Sequence, residues 1–324
     1  MAAFLLRRLV NHLVLGALAM SLAYLVAAMA LDPRAGYEGR TPRPPDAVID
    51  ARLSALNLDD RTPLVHRYTT WVSGLVHGDF GRTWDGEPVN GELWRRLGVS
   101  LRLLLPGAIL GPVLGVLLGA YAATRRGQAA DRLICAGSYL LLGVPVFVLA
   151  VLVQMAASGV NDAMGVRAFQ WVGESGAGTS GGLVDRGRHL LLPTVTIVLG
   201  QAALYCRYQR ALMLDVLDAG YVRTARAKGL RRRSAVLRHG LRTALPPMAA
   251  YTAYATGLLL LGGVFTEKIF GWHGVGEWAV DSVARGDVNT VAAIGCLAAC
   301  GVLPAGLASD ALRGVLDPRV RGAA

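Results

Sequence analysis

YCRYQRALMLDVLDAGYVRTARAKGLRRRSAVLRHGLRTALPP, residues 205–247, lies between two long apolar segments and decides how the rest of the chain is read. It holds ten Lys or Arg against only Asp215 and Asp218, a net +8 in a chain whose whole formal charge is +11. A basic loop trapped between apolar blocks fixes which side of a bilayer it faces, because cationic loops stay cytoplasmic. It also points to a docking surface.

Working outward, the 324 residues are 53% hydrophobic and only 17% charged, with 40 glycines. The apolar residues come in blocks too long and too uncharged for globular helices, which keep one polar face. Six blocks reach the roughly 20 residues needed to cross a hydrocarbon core about 30 Å thick. They are Leu9 to Leu31, Val99 to Thr124, Leu133 to Ser158, Leu190 to Met213, Ala244 to Thr266 and Asn289 to Ala311. The expected fold is therefore an all-α polytopic membrane protein with six transmembrane helices. Pro106, Gly107, Gly111, Pro112, Gly115 and Gly119 in the second block are tolerated in membrane helices and let backbones approach closely.

Arg7 and Arg8, the loop with Arg125, Arg126 and Arg132, the arginine-rich stretch and the tail with Arg313, Arg319 and Arg321 all fall on one side. The positive-inside rule makes that side cytoplasmic and puts both termini there. The start of the chain also imitates a secretory signal, with Ala28-Met29-Ala30 as a small-residue cleavage site. Its apolar run of about 22 residues exceeds the 7 to 15 of a signal core, which favours an uncleaved first span.

The expected divisions are a first helix (1–31), an outer segment (32–98), a five-helix core (99–312) containing a cytoplasmic loop (214–243), and a tail (313–324). The outer segment has a Pro/Arg-rich linker from Arg40 to Pro45, a helix from Asp46 and another from Pro63 carrying Val65, Tyr68, Trp71, Val72, Leu75 and Val76 at helical spacing. Trp71, Trp84 and Trp94 suit either a membrane-interface belt or ordinary packing. Residues 159–188 are glycine-rich and read as a flexible loop. The last outer segment, with KIFGWHGVGEWAV, is too short to span and reads as a short helix at the outer mouth.

Several chemistries are absent from the sequence. Its two lysines, Lys228 and Lys268, stand in no G-x-x-x-x-G-K-[ST] cradle, so the chain is not itself a P-loop ATPase. There is no HExxH, and no metal site is expected. Cys135, Cys206, Cys296 and Cys300 read as core-packing residues without a redox role. Ion-coupled carriers bury a carboxylate or histidine at membrane depth. Here Asp32, Asp215, Glu267 and Asp310 sit at span ends, so if the protein transports, its energy comes from elsewhere. No cofactor is expected.

Within the basic stretch, Asp218 is an N-cap candidate, Ala219 to Lys228 a short helix, and Gly229 its stop in positive φ. Tyr221, Ala225 and Lys228 share one face of that helix, and Arg223, Ala227 and Arg226 another. Ser234 starts a second helix, with Leu237, Leu241, Ala244 and Leu245 as its apolar stripe and Arg238 and Arg242 opposite. It leads into Pro246-Pro247 and the fifth span, so movement of the short helix passes into a membrane helix. A lipid anchor, at about 1 kcal/mol per basic residue, does not require this cap-helix-stop architecture. Nucleic acid is excluded for want of a groove-entering helix pair. A socket for a cytoplasmic motor subunit accounts for both charge and architecture.

YVRTARAKGL followed by VLRHGLRTALPPM resembles the cytoplasmic loop of bacterial ABC-transporter permeases of the dipeptide/oligopeptide import family. FLLRRL at the start, GDFGRT before the second span, IFGWHGVGEW in the last outer loop and LDPRVR near the end extend the resemblance along the chain in order. It implies a type I ABC importer permease whose coupling helix fits a cleft on the ATPase. The coupling residues are then Asp218, Tyr221, Val222, Arg223, Thr224, Ala225, Arg226, Ala227, Lys228, Gly229 and Leu230. Gly229 takes the place of the loop glycine, and Arg223, Thr224 and Ala225 stand where importer permeases generally have Glu-Ala-Ala. Gly240 and His273 replace the more usual alanine and proline.

The resemblance further implies a second homologous permease, two cytoplasmic ATPases, an extracytoplasmic peptide-binding protein and a place in the bacterial cytoplasmic membrane. Nickel and other small-solute importers share these motifs and form the alternative within the family. A self-sufficient channel or secondary carrier is the alternative outside it.

Overall fold

The computed structural model describes residues 2–38, 41–176, 182–217, 219–229 and 240–316. Its elements are α1 (Ala2–Ala30), α2 (Ala35–Glu38), α3 (Asp46–Ala55), α4 (Leu64–Val76), α5 (Val89–Thr124), α6 (Ala129–Gly143), α7 (Val146–Met164), α8 (Leu183–Leu217) and α9 (Gly220–Ala227). They continue as α10 (Arg242–Gly262), α11 (Val264–Phe270), α12 (Val275–Ala284) and α13 (Val288–Leu316). Among the described residues there is no strand, only one isolated bridge between Arg82 and Pro88.

Among the described residues, five helical segments are long and apolar enough to cross a membrane: Arg7–Glu38, Val89–Thr124, Val146–Met164, Leu183–Leu217 and Val288–Ser309. The fifth expected span corresponds to α10, whose side chains at 258–262 lie outside the described set. The third expected span, Leu133 to Ser158, is not one helix. It breaks at Val144, which is extended at φ −94° and ψ 124°, and restarts after Pro145. Proline disfavours the helical region for the residue before it, and here a β-branched valine and the preceding Gly143 add to that weakness.

Boundaries shift elsewhere for related reasons. α5 starts at Val89, ten residues before the start of the expected second span. Helices α7 and α8 reach Met164 and back to Leu183, so helix covers both ends of the expected 159–188 loop. The segment between α1 and α5 is folded. Ile49 and Leu53 of α3, Trp71 of α4 and Trp84 form one core with Tyr24 of α1 and Val288, Ala292 and Cys296 of α13. Trp71 and Trp84 are thus packed inside protein, while Trp94 is exposed. Arg34 binds this cap together, meeting Asp50 at 2.6 Å and Asp59 at 3.0 Å, with Asp60 also in contact.

The main seam joins α5 to α8. Gly107, Gly111, Gly115 and Gly119 recur every four residues on the α5 face that meets α8. A Cβ on Gly115 would lie 2.6 Å from both the Ala202 carbonyl oxygen and the Tyr205 Cβ. The two longest membrane helices therefore touch backbone to backbone, as small-residue stripes allow.

Candidate functional site

The arginine-rich stretch begins on α8 and turns at its end, where the Ala219 N–H donates to the Val216 carbonyl at 3.1 Å. α9 follows at once. Its first turn is closed by Val222 N–H to the Ala219 carbonyl at 3.1 Å, and the Thr224 hydroxyl donates back to the Gly220 carbonyl at 3.0 Å. The Lys228 N–H reaches the Thr224 carbonyl at 3.0 Å, and Gly229 then turns the chain with φ +90°. That left-handed conformation ends helices and favours glycine.

Of the coupling residues named above, Val222 is buried, and Thr224, Ala227, Lys228 and Gly229 are exposed. Tyr221, Arg223, Ala225 and Arg226 lie on α9, with side chains outside the described set. Asp218 and Leu230, and with them the N-cap, fall outside the described residues. So does the helix expected from Ser234, up to the π-type turn at Gly240–Leu241 that opens α10.

Near the same end of α8 the ends of three membrane helices meet. Ala123 of α5, Met213 of α8 and Ala244 of α10 form a buried cluster, with Leu212, Val216, Leu217 and Leu241 against it. One turn further into α8, Arg210 clamps α6: its Nε and Nη2 donate to the two Asp131 oxygens at 2.7 and 2.9 Å. This two-pronged pair is the strong geometry for Arg and carboxylate. It holds the Asp131 carboxyl far below the usual carboxylate range, with the Gly127 N–H adding a further bond.

At the opposite end of α5, the GWHGVGEW loop closes on a carboxylate. Glu267 of α11 is fully buried. Ser100 Oγ donates to its Oε1 at 2.6 Å, and the Glu277 N–H donates to its Oε2 at 2.8 Å. The Val275 N–H in turn donates to Ser100 Oγ at 2.8 Å. Burial pushes the Glu267 carboxyl above its ordinary value, although Ser100 and the Glu277 and Gly276 amides favour the anion. Gly274 has to be glycine, since a Cβ there would lie 2.5 Å from the Glu267 carboxyl carbon.

The sequence placed Glu267 only at a span end and gave it no partner. Its signal was the glycine-flanked turn seven residues on, which offers free amides to an acceptor. Asp287 plays a similar part, accepting the Trp84 N–H at 2.9 Å and the Thr290 hydroxyl at 2.8 Å, which ties the segment between α1 and α5 to the start of α13.

Between these ends, α5 and α10 flank a groove of about 590 Å³. Its walls are apolar except for Thr252 and Thr256, whose hydroxyls donate to carbonyls of their own helix, Met248 at 2.8 Å and Thr252 at 2.9 Å.

A helical membrane bundle with a short basic helix at one end, in a chain without a nucleotide cradle, has the make-up of the membrane subunit of a transport system. Residues 115–322 match the family described as the binding-protein-dependent transport system inner membrane component, and the chain belongs to that family. The oligopeptide transport system permease protein OppB of Mycobacterium tuberculosis (strain ATCC 25618 / H37Rv) is 50% identical over 325 residues, covering 99% of each chain. The dipeptide transport system permease protein DppB of Escherichia coli (strain K12) is 31% identical over 286 residues, covering 83% of this chain and 84% of that one.

Among solved structures, the MetNI methionine ABC transporter in inward-facing conformations superposes with a TM-score of 0.54 at 17% identity. The match covers 69% of this chain and 96% of that one, and the likeness is one of fold. The chain is thus a multi-pass permease subunit of the inner membrane and not a catalytic subunit. Its family works with a solute-binding protein and an ATPase.

Proposed function

We infer that this chain is one of two homologous permeases of an ATP-driven importer of di- or oligopeptides, with both termini and α9 in the cytoplasm. The observation that carries the cargo is the 50% identity to an oligopeptide permease, sustained over 99% of both chains. Two cytoplasmic ATPases and an extracytoplasmic peptide-binding protein complete the assembly.

In this reading the segment from Asp218 to Leu230 couples the chain to an ATPase. Val222 is buried, while exposed Thr224, Ala227 and Lys228 are free to enter a cleft on the motor. Closure of the ATPases on ATP draws the α9 helices of the two permeases together. The cluster of Ala123, Met213 and Ala244 passes that motion into α5, α8 and α10. The groove between α5 and α10 forms this subunit's half of the path. Its satisfied threonines leave an apolar wall that holds no peptide backbone tightly, as a path that must release its cargo requires.

The test is reconstitution with the candidate second permease and ATPases in vesicles. A peptide-loaded binding protein should stimulate ATP hydrolysis and peptide accumulation together. Stimulation by a nickel-loaded or other small-solute binding protein instead would replace the peptide assignment, and uptake by this chain without ATPases would overturn the subunit reading.

A further inference from the structure

A groove of about 340 Å³ opens between α6 and α8, lined by Tyr139 on one side and Leu204, Arg207, Tyr208 and Arg210 on the other. From 189 to 206, α8 carries no Asp, Glu, Lys or Arg, and those 18 residues rise about 27 Å. Arg207 is the first cation after that run, so it stands at the edge of a hydrocarbon core roughly 30 Å thick, on the same side as α9.

The two arginines of the groove differ in what they have left to give. Arg210 is committed to Asp131 through both prongs. Arg207 is exposed and lies over the Tyr139 ring at 4.4 Å, and it forms no ion pair with any described residue. The ring restrains the guanidinium group while leaving the exposed side chain with N–H donors to offer. Tyr139 and Tyr208 are 60% and 51% exposed at this depth, as aromatic residues at a membrane interface are.

An oriented, unpaired guanidinium at the headgroup level, beside a carboxylate already neutralised, leaves the groove with one net positive charge. We propose that it seats the phosphodiester of an anionic phospholipid, held by two parallel N–H bonds from Arg207 and by the Tyr208 hydroxyl. The acyl chains run along the lipid-facing flank of α6, where Leu140 is 71% exposed. The apolar flank selects a lipid over free phosphate, and the open fork selects an anionic headgroup over a zwitterionic one, whose own cation competes. The bound lipid clamps α6 to α8 ten residues before α8 ends and α9 begins.

The test uses the full chain in its assembled complex, purified in detergent and supplied with phosphatidylglycerol, phosphatidylcholine or inorganic phosphate. Native mass spectrometry and thermal unfolding are the readouts. Phosphatidylglycerol should remain bound and raise the unfolding temperature. Arg207→Gln should weaken its retention roughly fivefold, the loss of one basic contact at a membrane surface. Arg207→Lys, which keeps the charge and loses the fork, should fall between, and it serves if the glutamine variant does not assemble.

Equal binding of phosphatidylcholine, equal stabilisation by inorganic phosphate, or unchanged retention in both variants would each overturn the proposal. So would cross-linking of a Tyr208→Cys variant to the second permease at high yield, since the groove would then be a protein interface.

Discussion

Ser100 Oγ donates to Glu267 at 2.6 Å while accepting the Val275 N–H at 2.8 Å, so a single hydroxyl joins α5, α11 and the start of α12. Ser100 is itself buried. Ser100→Ala leaves the Val275 amide without a partner and removes one of the bonds to Glu267. Losing a buried partner in this way costs about 1–3 kcal/mol. Thermal unfolding in detergent should show the loss, and a variant as stable as the parent would mean that water takes over the hydroxyl's role.

Glu267 also predicts a pH effect. Its folded pKa lies above the ordinary carboxylate value, because burial disfavours the anion. The folded state therefore binds the proton more tightly than the unfolded chain, whose glutamates titrate near about 4.3. The contribution is full below that value and is lost as pH rises through the raised folded one. Glu267→Gln should flatten the stability profile in that window and leave the profile below it unchanged. An identical slope in parent and variant would assign the titration elsewhere.

Gly229 tests the coupling role. At φ +90° any side chain is strained, although the space around it is open. Gly229→Asp adds a charge there as well, at about 1–2 kcal/mol of local backbone strain. The variant should insert into the membrane normally and lose the coupling of ATP hydrolysis to uptake. Loss of the Tyr221 side chain should act the same way. Normal transport by both variants would remove α9 from the mechanism.

The α5–α8 seam gives a paired prediction from two glycines. Gly115→Ala forces a methyl into the Ala202 carbonyl, an overpacking that costs about 1–3 kcal/mol. Gly137→Ala on α6 meets nothing within 4 Å and should be neutral or stabilising, by up to about 1 kcal/mol from helix propensity. Unfolding temperatures in one detergent separate the two, and equal effects would show that the seam yields.

The sequence was most informative where one residue's conformation or size settles the matter. Gly229 marked the end of α9, and the stripe from Gly107 to Gly119 marked close helix approach, because both follow from the missing Cβ. It was least informative where partners are remote. Ser100 and Glu267 stand 167 positions apart, and neither has a local pattern that names the other. Hydropathy likewise ran straight across Pro145. Other prolines, such as Pro106, Pro112 and Pro304, are carried inside helices, and an apolar run does not tell the two cases apart. The outer segment's helices were visible from their spacing, but its closure on α1 and α13 through Trp84 and Asp287 was not.

Because glycines let α5 and α8 lie backbone to backbone, the pair behaves less like two rods with a cushion of side chains between them than like one laminated beam. α5 alone separates Ser100 at one membrane face from Ala123 at the other by about 35 Å of continuous helix. A beam that does not flex cannot tilt at one end and stay still at the other. Probes placed at these two ends should therefore change together in time through a transport cycle, with no interval in which one membrane face has moved and the other has yet to respond.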